Sequence, residues 1–258
     1  MPQPQPKTNT LIEQLNSLLE QEEPNLFVLN TIKTEAEKLK KTDSLMASVV
    51  LGMVACIQRD IPVMRYNHLN ALRLSPSNPL ANFNFAQSLH NTGFFSEAIK
   101  LYTAAHNLDR ENLFFLERAA KNMFFAGRLR QTKQLLEEWS KLKPGEVHPR
   151  KILVERIHRL LDESEISDDI VESLQDTAMS LLRDKGIYRS SVALDLIRDE
   201  GELFAYDVSV AESPKTIAAF NLELANRIAE KFDDPHADRV VISYTPYRSA
   251  HIDERKSA

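Results

Sequence analysis

Apolar residues along this chain follow two rhythms, and the change between them marks its organisation. From residue 8 to residue 182 they recur at three- and four-residue intervals, which places them on one face of successive helices. Residues 8–41 read as a helix pair, NTLIEQLNSLLEQ and NLFVLNTIKTEAEKLKK, broken at Pro24. Residues 79–112 predict a helix with Phe85, Ala86 and Leu89 inward, closed by Gly93. A second helix follows there, carrying Ala98, Ile99, Tyr102, Ala105 and Leu108. Further on, Ile152, Leu153, Ile157, Leu160 and Leu161 form a stripe that suits a capping helix. Residues 170–182 predict one more amphipathic helix, with Ile170, Val171, Leu174, Ala178, Leu181 and Leu182 inward. Beyond it the period drops to two.

Within the helical part the pattern itself repeats at a fixed interval. Gly52 recurs as Ala86 and Ala120, Ala71 as Ala105, Leu74 as Leu108 and Leu142, and Pro76 as Pro144. Periodicity on this scale predicts stacked helical pairs, in which no pair buries its apolar face alone. Small residues at 86, 98 and 105 allow the two helices of the middle unit to approach closely, while Phe85, Leu89, Phe95 and Tyr102 fill the space between. The flanking units are less regular. Residues 45–78 place Arg59 where the glycine turn belongs and Met64 at a small-residue position. Residues 113–146 place Trp139 at another, which predicts that this unit meets something other than an identical repeat.

These positions resemble the signature of the tetratricopeptide repeat family. The resemblance implies a concave surface lined by the first helix of each repeat. That face would present Met46, Val49, Met53 and Cys56, then Leu80, Phe83, Asn84, Gln87, His90 and Asn91, then Phe114, Glu117, Arg118, Lys121 and Phe124. One subset of the family clamps a terminal carboxylate with five polar side chains. The matching positions here are Val49, Met53, Asn84, Phe114 and Arg118, two of five, so that clamp is not expected. A largely apolar groove suits an amphipathic helix or an extended apolar peptide. The same face equally suits cover by the N-terminal helix pair or by a second copy of the chain. His90 beside Asn91 offers hydrogen bonds to a ligand backbone, although a lone histidine on a helix is more often an ordinary surface residue.

Composition narrows this reading. The apolar fraction is 43% and the charged fraction 27%, ordinary for a folded domain. One cysteine, Cys56, excludes an internal disulfide and a zinc site built on several thiolates. The start, MPQPQPKTNT, has no signal-peptide core. The longest uncharged apolar run, 45–57, falls well short of what a bilayer span needs. A cytoplasmic protein is the expectation. The net charge of −5 is uneven: residues 1–150 carry 18 Lys+Arg against 15 Asp+Glu, and residues 151–258 carry 14 against 22. The acidic second part disfavours nucleic acid as a partner.

After the acidic stretch 162–169, the segment SSVALDLIRDEGELFAYDVSV alternates at period two on both sides of Glu200 and Gly201 and predicts a β-hairpin. Ser213-Pro214 opens a helix over 216–232, and 238–245 predicts a third strand. Keeping Val192, Leu194 and Leu196 on one face with Phe204, Tyr206, Val208 and Val210 forces Asp195 and Asp207 together on the other, opposite or one diagonal step apart. Ser243 and Thr245 are placed to join that face. Such a pair suggests a divalent-cation or acid–base site, but without a third ligand at fixed spacing it is more often a solvated sheet face. No nucleophile elbow, phosphate-binding glycine loop or histidine pair accompanies it.

The expectation is therefore a mostly α protein: a solenoid resembling tetratricopeptide repeats, followed by a small α+β domain in the order α-β-β-α-β. Residues 1–8 are expected disordered, 9–163 form the solenoid with its caps, 166–248 the α+β domain, and 249–258 a disordered tail. The function expected is that of an adaptor or scaffold binding a protein or peptide, with no cofactor and no metal. The alternatives are an enzyme or ligand sensor in the second domain and a self-assembling dimer joined through 45–57.

Overall fold

A computed structural model describes residues 6–21, 23–188, 190–198 and 202–247. The tail expected over 249–258 and most of the N-terminal segment expected to be disordered lie outside them. The chain is mostly α-helical and forms two compact units, Met1–Phe115 and Leu116–Ala258.

The first unit holds α1 (Pro6–Glu20), α2 (Leu26–Leu39), α3 (Ser44–Ile57), α4 (Ile61–Leu74), α5 (Pro79–His90), α6 (Phe95–Leu108) and the first turn of α7 (Leu113–Phe125). Local chemistry starts these helices. Asn25, Asp43, Asp60 and Asn78 accept hydrogen bonds from first-turn amides, and prolines open α4 and α5 where no amide is needed. Antiparallel pairs α3–α4 and α5–α6 make the repeat. Its period is kept in the backbone: α4, α6 and α8 (Leu129–Leu142) begin at evenly spaced positions, Ile61, Phe95 and Leu129. The turn before each of them needs a left-handed residue. Gly93 and Gly127 supply it at φ 80° and 83°, and Arg59 supplies it at 62°. The Arg59 guanidinium also donates to the Asn91 carbonyl at 2.8 Å, so an unfavourable backbone is offset by a bond to the next repeat.

Side chains then specialise each pair. His68, completely buried, lies over Gly52, where a Cβ would come within 2.6 Å of the imidazole. The ring stacks on Phe85 at 5.0 Å and its Nε2 meets the Ser88 hydroxyl at 2.8 Å. Around α3 one continuous core gathers Leu11, Leu15 and Leu18 of α1, Leu29 and Ile32 of α2, and Val49, Val50, Met53 and Val54. Each fully buried aliphatic side chain there contributes about 1.5–3 kcal/mol relative to exposure.

The second unit holds the rest of α7, α8, α9 (Lys151–Glu163), α10 (Asp168–Asp184), β1 (Ser191–Arg198), β2 (Glu202–Val210), α11 (Pro214–Lys231) and β3 (Val240–Pro246). Trp139 is accommodated without a further identical repeat. Its indole N–H donates to Glu117 at 3.1 Å, and its ring meets His148 edge-on at 5.1 Å. The acidic stretch before α10 is bonded in place. Asp168 accepts from the Arg130 amide at 3.0 Å and so caps α8 from outside. The Arg130 guanidinium reaches the Ile166 carbonyl and Asp162, while Arg128 pairs with Asp169 and Glu172.

The three strands lie in the order β1-β2-β3. β1 and β2 are antiparallel, with Leu194 opposite Tyr206, and the expected hairpin turn at Glu200 and Gly201 lies outside the described residues. β3 is parallel to β2, reached through α11, so the sheet is mixed. Its inner face carries Leu194, Phe204, Tyr206, Val208, Val210, Val240 and Tyr244, all buried. Helices cover that face: Arg156 of α9 pairs with Glu202, the Tyr244 hydroxyl donates to the Ala178 carbonyl of α10, and Phe220 of α11 meets the Tyr244 ring at 6.2 Å.

Candidate functional site

The inner face of α3 is filled from within the chain. Val49, Met53 and Cys56 are no more than 1% exposed, and only Met46 is half-buried. The leucines of α1 occupy the space a ligand would take there. Gln87 of α5 comes to 3.5 Å from Asn16 of α1, so α1 reaches beyond α3. The self-assembly seam considered for 45–57 is enclosed by the same helices.

On α5 the residues divide by role. Asn84 is buried and donates back to the Leu80 carbonyl at 2.8 Å, and Asn91 ends the helix with its own carbonyl held by Arg59. His90 lies edge-on to Phe95 at 4.5 Å. Phe83 is buried among Tyr102, Phe115 and Phe114, with the last ring 4.8 Å away. Leu80 and Phe114 are different. They occupy the same place in successive repeats and are 43% and 45% exposed. An apolar surface backed by a buried aromatic cluster remains there.

In the second unit α7 brings Arg118, Lys121 and Phe124 to one side, and two residues join them that sequence reasoning missed. Phe125 follows Phe124, their rings meeting at 5.5 Å. Arg150, at the start of α9, places its guanidinium 6.0 Å from both ring centroids, and the Lys121 ammonium is 5.8 Å from that of Phe125. Burial holds the Lys121 ammonium below the usual lysine range, and the charges of Arg118 and Arg150 lower it further. Among the described residues, neither Lys121 nor Arg150 has an acidic partner. Phe125 carried a weak signal, its position one turn after Lys121; Arg150 carried none.

The carboxylates of the sheet share the open face, as their register requires. Asp207 lies opposite Ala193 and Asp195 opposite Ala205, one diagonal step apart. Each is engaged separately: Asp207 accepts from the Ser243 hydroxyl at 2.9 Å, and Asp195 from the following amide of Leu196 at 2.8 Å. Among the described residues, no three histidine, cysteine or acidic groups converge as metal ligands would.

One buried cluster resembles catalytic chemistry in composition only. Cys56 approaches the Ser88 carbonyl at 3.5 Å, and His68 bonds the Ser88 hydroxyl. Burial pushes the thiol up to about 11 and the imidazole down to about 3, so the thiol stays protonated and the ring neutral. That is the opposite of an activated pair, and no path leads substrate to completely buried groups.

No described helix is long and apolar enough to cross a membrane. Compared with known proteins, the sequence matches no family model and none of the curated proteins.

Proposed function

We propose that the chain is a protein-binding adaptor of the tetratricopeptide kind, working by equilibrium capture of an apolar protein segment on the α5 side of its repeats, in the cytoplasm. One observation carries the reading. Leu80 and Phe114 are left exposed at equivalent repeat positions, while the equivalent surface on α3 is largely closed by α1. Phe83 behind them supplies a rigid floor, and affinity in such surfaces concentrates in a few apolar and aromatic contacts. The Cys56–His68–Ser88 cluster and the separate bonding of Asp195 and Asp207 offer no support to an enzymatic reading.

A random peptide library displayed on phage, selected against the full chain, tests this. Peptides with spaced apolar or aromatic residues should be enriched, and a Leu80→Asp/Phe114→Asp double variant should lose them. Circular dichroism of the variant checks that its helices remain. Failure to enrich any sequence, or enrichment that the double variant retains, overturns the proposal.

A further inference from the structure

We propose that Lys121 and Arg150, together with the Phe124–Phe125 pair, form a docking site for an acidic peptide segment. The site shares no residue with the apolar surface at Leu80 and Phe114 and does not depend on it.

The geometry starts from one helix and one junction. Arg118, Lys121 and Phe125 lie three and four residues apart on α7, and so share a side of that helix. Arg150 reaches the same rings from the junction at the start of α9, where no side chain caps the helix. The N-terminal end of α9 adds partial positive charge to that junction.

Two cations thus rest on aromatic faces and on nothing acidic among the described residues. A cation over a ring at an exposed site gains less than a well-placed carboxylate supplies. The local field is positive enough to act on its own members, since Arg118 and Arg150 oppose the charge on Lys121. Glu117, whose field reaches His148, accepts from the Trp139 indole and not from Lys121 or Arg150. An arriving carboxylate would relieve the repulsion, and an apolar neighbour on the same peptide would find the partly exposed Phe125 ring.

Charge elsewhere decides between acidic partners. Residues 116–258 carry 22 basic against 26 acidic side chains, so a long polyanion laid across the unit would meet net repulsion. A short acidic segment touches only the positive corner. That favours peptide over nucleic acid.

The chain's single tryptophan provides a reporter, because Trp139 packs on His148, two residues before Arg150. The full chain would be titrated with a blocked peptide of three glutamates and one phenylalanine, following tryptophan fluorescence and, with a labelled peptide, anisotropy. Its glutamine counterpart, an oligouridylate of equal length and inorganic phosphate serve as comparisons. Saturable binding below about 1 mM is expected for the acidic peptide alone. Lys121→Gln and Arg150→Gln should each weaken it roughly tenfold, with Lys215→Gln leaving it unchanged. Isotope-labelled dimethylation of lysines offers a second readout: the Lys121 methyl resonance should titrate at higher pH once peptide is bound. The proposal is overturned by no binding at about 1 mM, by equal binding of the glutamine peptide, by tighter binding of oligouridylate or phosphate, or by indifference to both substitutions.

Discussion

Acid should weaken this protein through His68 as pH falls below 6.5. The imidazole is enclosed between Gly52, Phe85 and Ser88, and burial lowers its pKa from 6.5 to about 3. A histidine whose folded pKa is depressed contributes its full stability above 6.5. The contribution is lost as pH falls from 6.5 toward 3, because over that window only the unfolded chain takes up the proton. At about pH 5 the unfolded state has gained 1.5 pH units of protonation free energy and the folded state almost none. At about 1.36 kcal/mol per unit, this amounts to about 2 kcal/mol. That is a large share of the 5–15 kcal/mol typical of a domain.

The assay is equilibrium urea unfolding of the full chain at about pH 7.5, 6 and 5, followed by circular dichroism because Trp139 reports on the other unit. His68→Phe keeps an aromatic ring against Phe85 but cannot take a proton, and His68→Gln retains a polar group for Ser88. Both variants are expected to start less stable, by about 1–3 kcal/mol for the lost bond or the lost packing. The informative quantity is the difference across pH. It should shrink by about 2 kcal/mol in either variant relative to the parent, since all other titrating groups are shared. Parallel pH dependences in parent and variants would refute the reasoning.

Two further predictions concern backbone positions. Gly127→Ala should cost about 2–4 kcal/mol in thermal or urea unfolding. Its φ of 83° disfavours a side chain, and a Cβ would come 2.7 Å from Val171 Cγ1 and 3.0 Å from the Glu172 backbone. Gly145→Ala has a similar φ of 87° but open space, so it should cost only about 1–2 kcal/mol; equal losses would remove the steric part of the argument. Asn221→Leu should expose an edge of the sheet, because the Asn221 side-chain amide accepts from the Tyr244 amide at 2.7 Å and donates to its carbonyl at 3.0 Å. A loss of about 1–3 kcal/mol and growing light scattering are expected, and a variant as stable and as monodisperse as the parent would contradict it.

What the sequence made legible depended on how far each signal reaches along the chain. Starts at Ile61, Phe95 and Leu129 follow the repeat spacing, and Leu194 shares a face with Tyr206 because a one-residue slip would expose the whole inner face; that these two stand directly opposite is fixed only by the register of the strands, since a two-residue slip keeps the face. Other features lacked such a signal. Alternation within 238–245 marks a strand but says nothing of its parallel placement beside β2, which depends on the α11 crossover. The cover of Val49 and Met53 by α1 was one of three occupants the apolar pattern allowed, and burial alone selects it. Arg150 could not be found at all: its contact with Phe124 and Phe125 joins positions far apart in the chain, outside any helical period.

The repeat is therefore better understood as a property of the backbone than of the faces it builds. Arg59 shows this most directly. A left-handed arginine costs about 1–2 kcal/mol against glycine, yet the turn keeps the geometry of Gly93 and Gly127 and ties the guanidinium to Asn91. With the frame held in this way, side chains at equivalent positions are free to diverge. Met46 is half-buried, whereas Leu80 and Phe114 are exposed. At another set of equivalent positions, His68, Tyr102 and Leu136 each fill the space between paired helices with different chemistry. The histidine makes its pair sensitive to acid. A frame that tolerates such exchange can acquire a closed face at α3, an apolar one at α5 and a cationic one on α7 without altering where its helices begin.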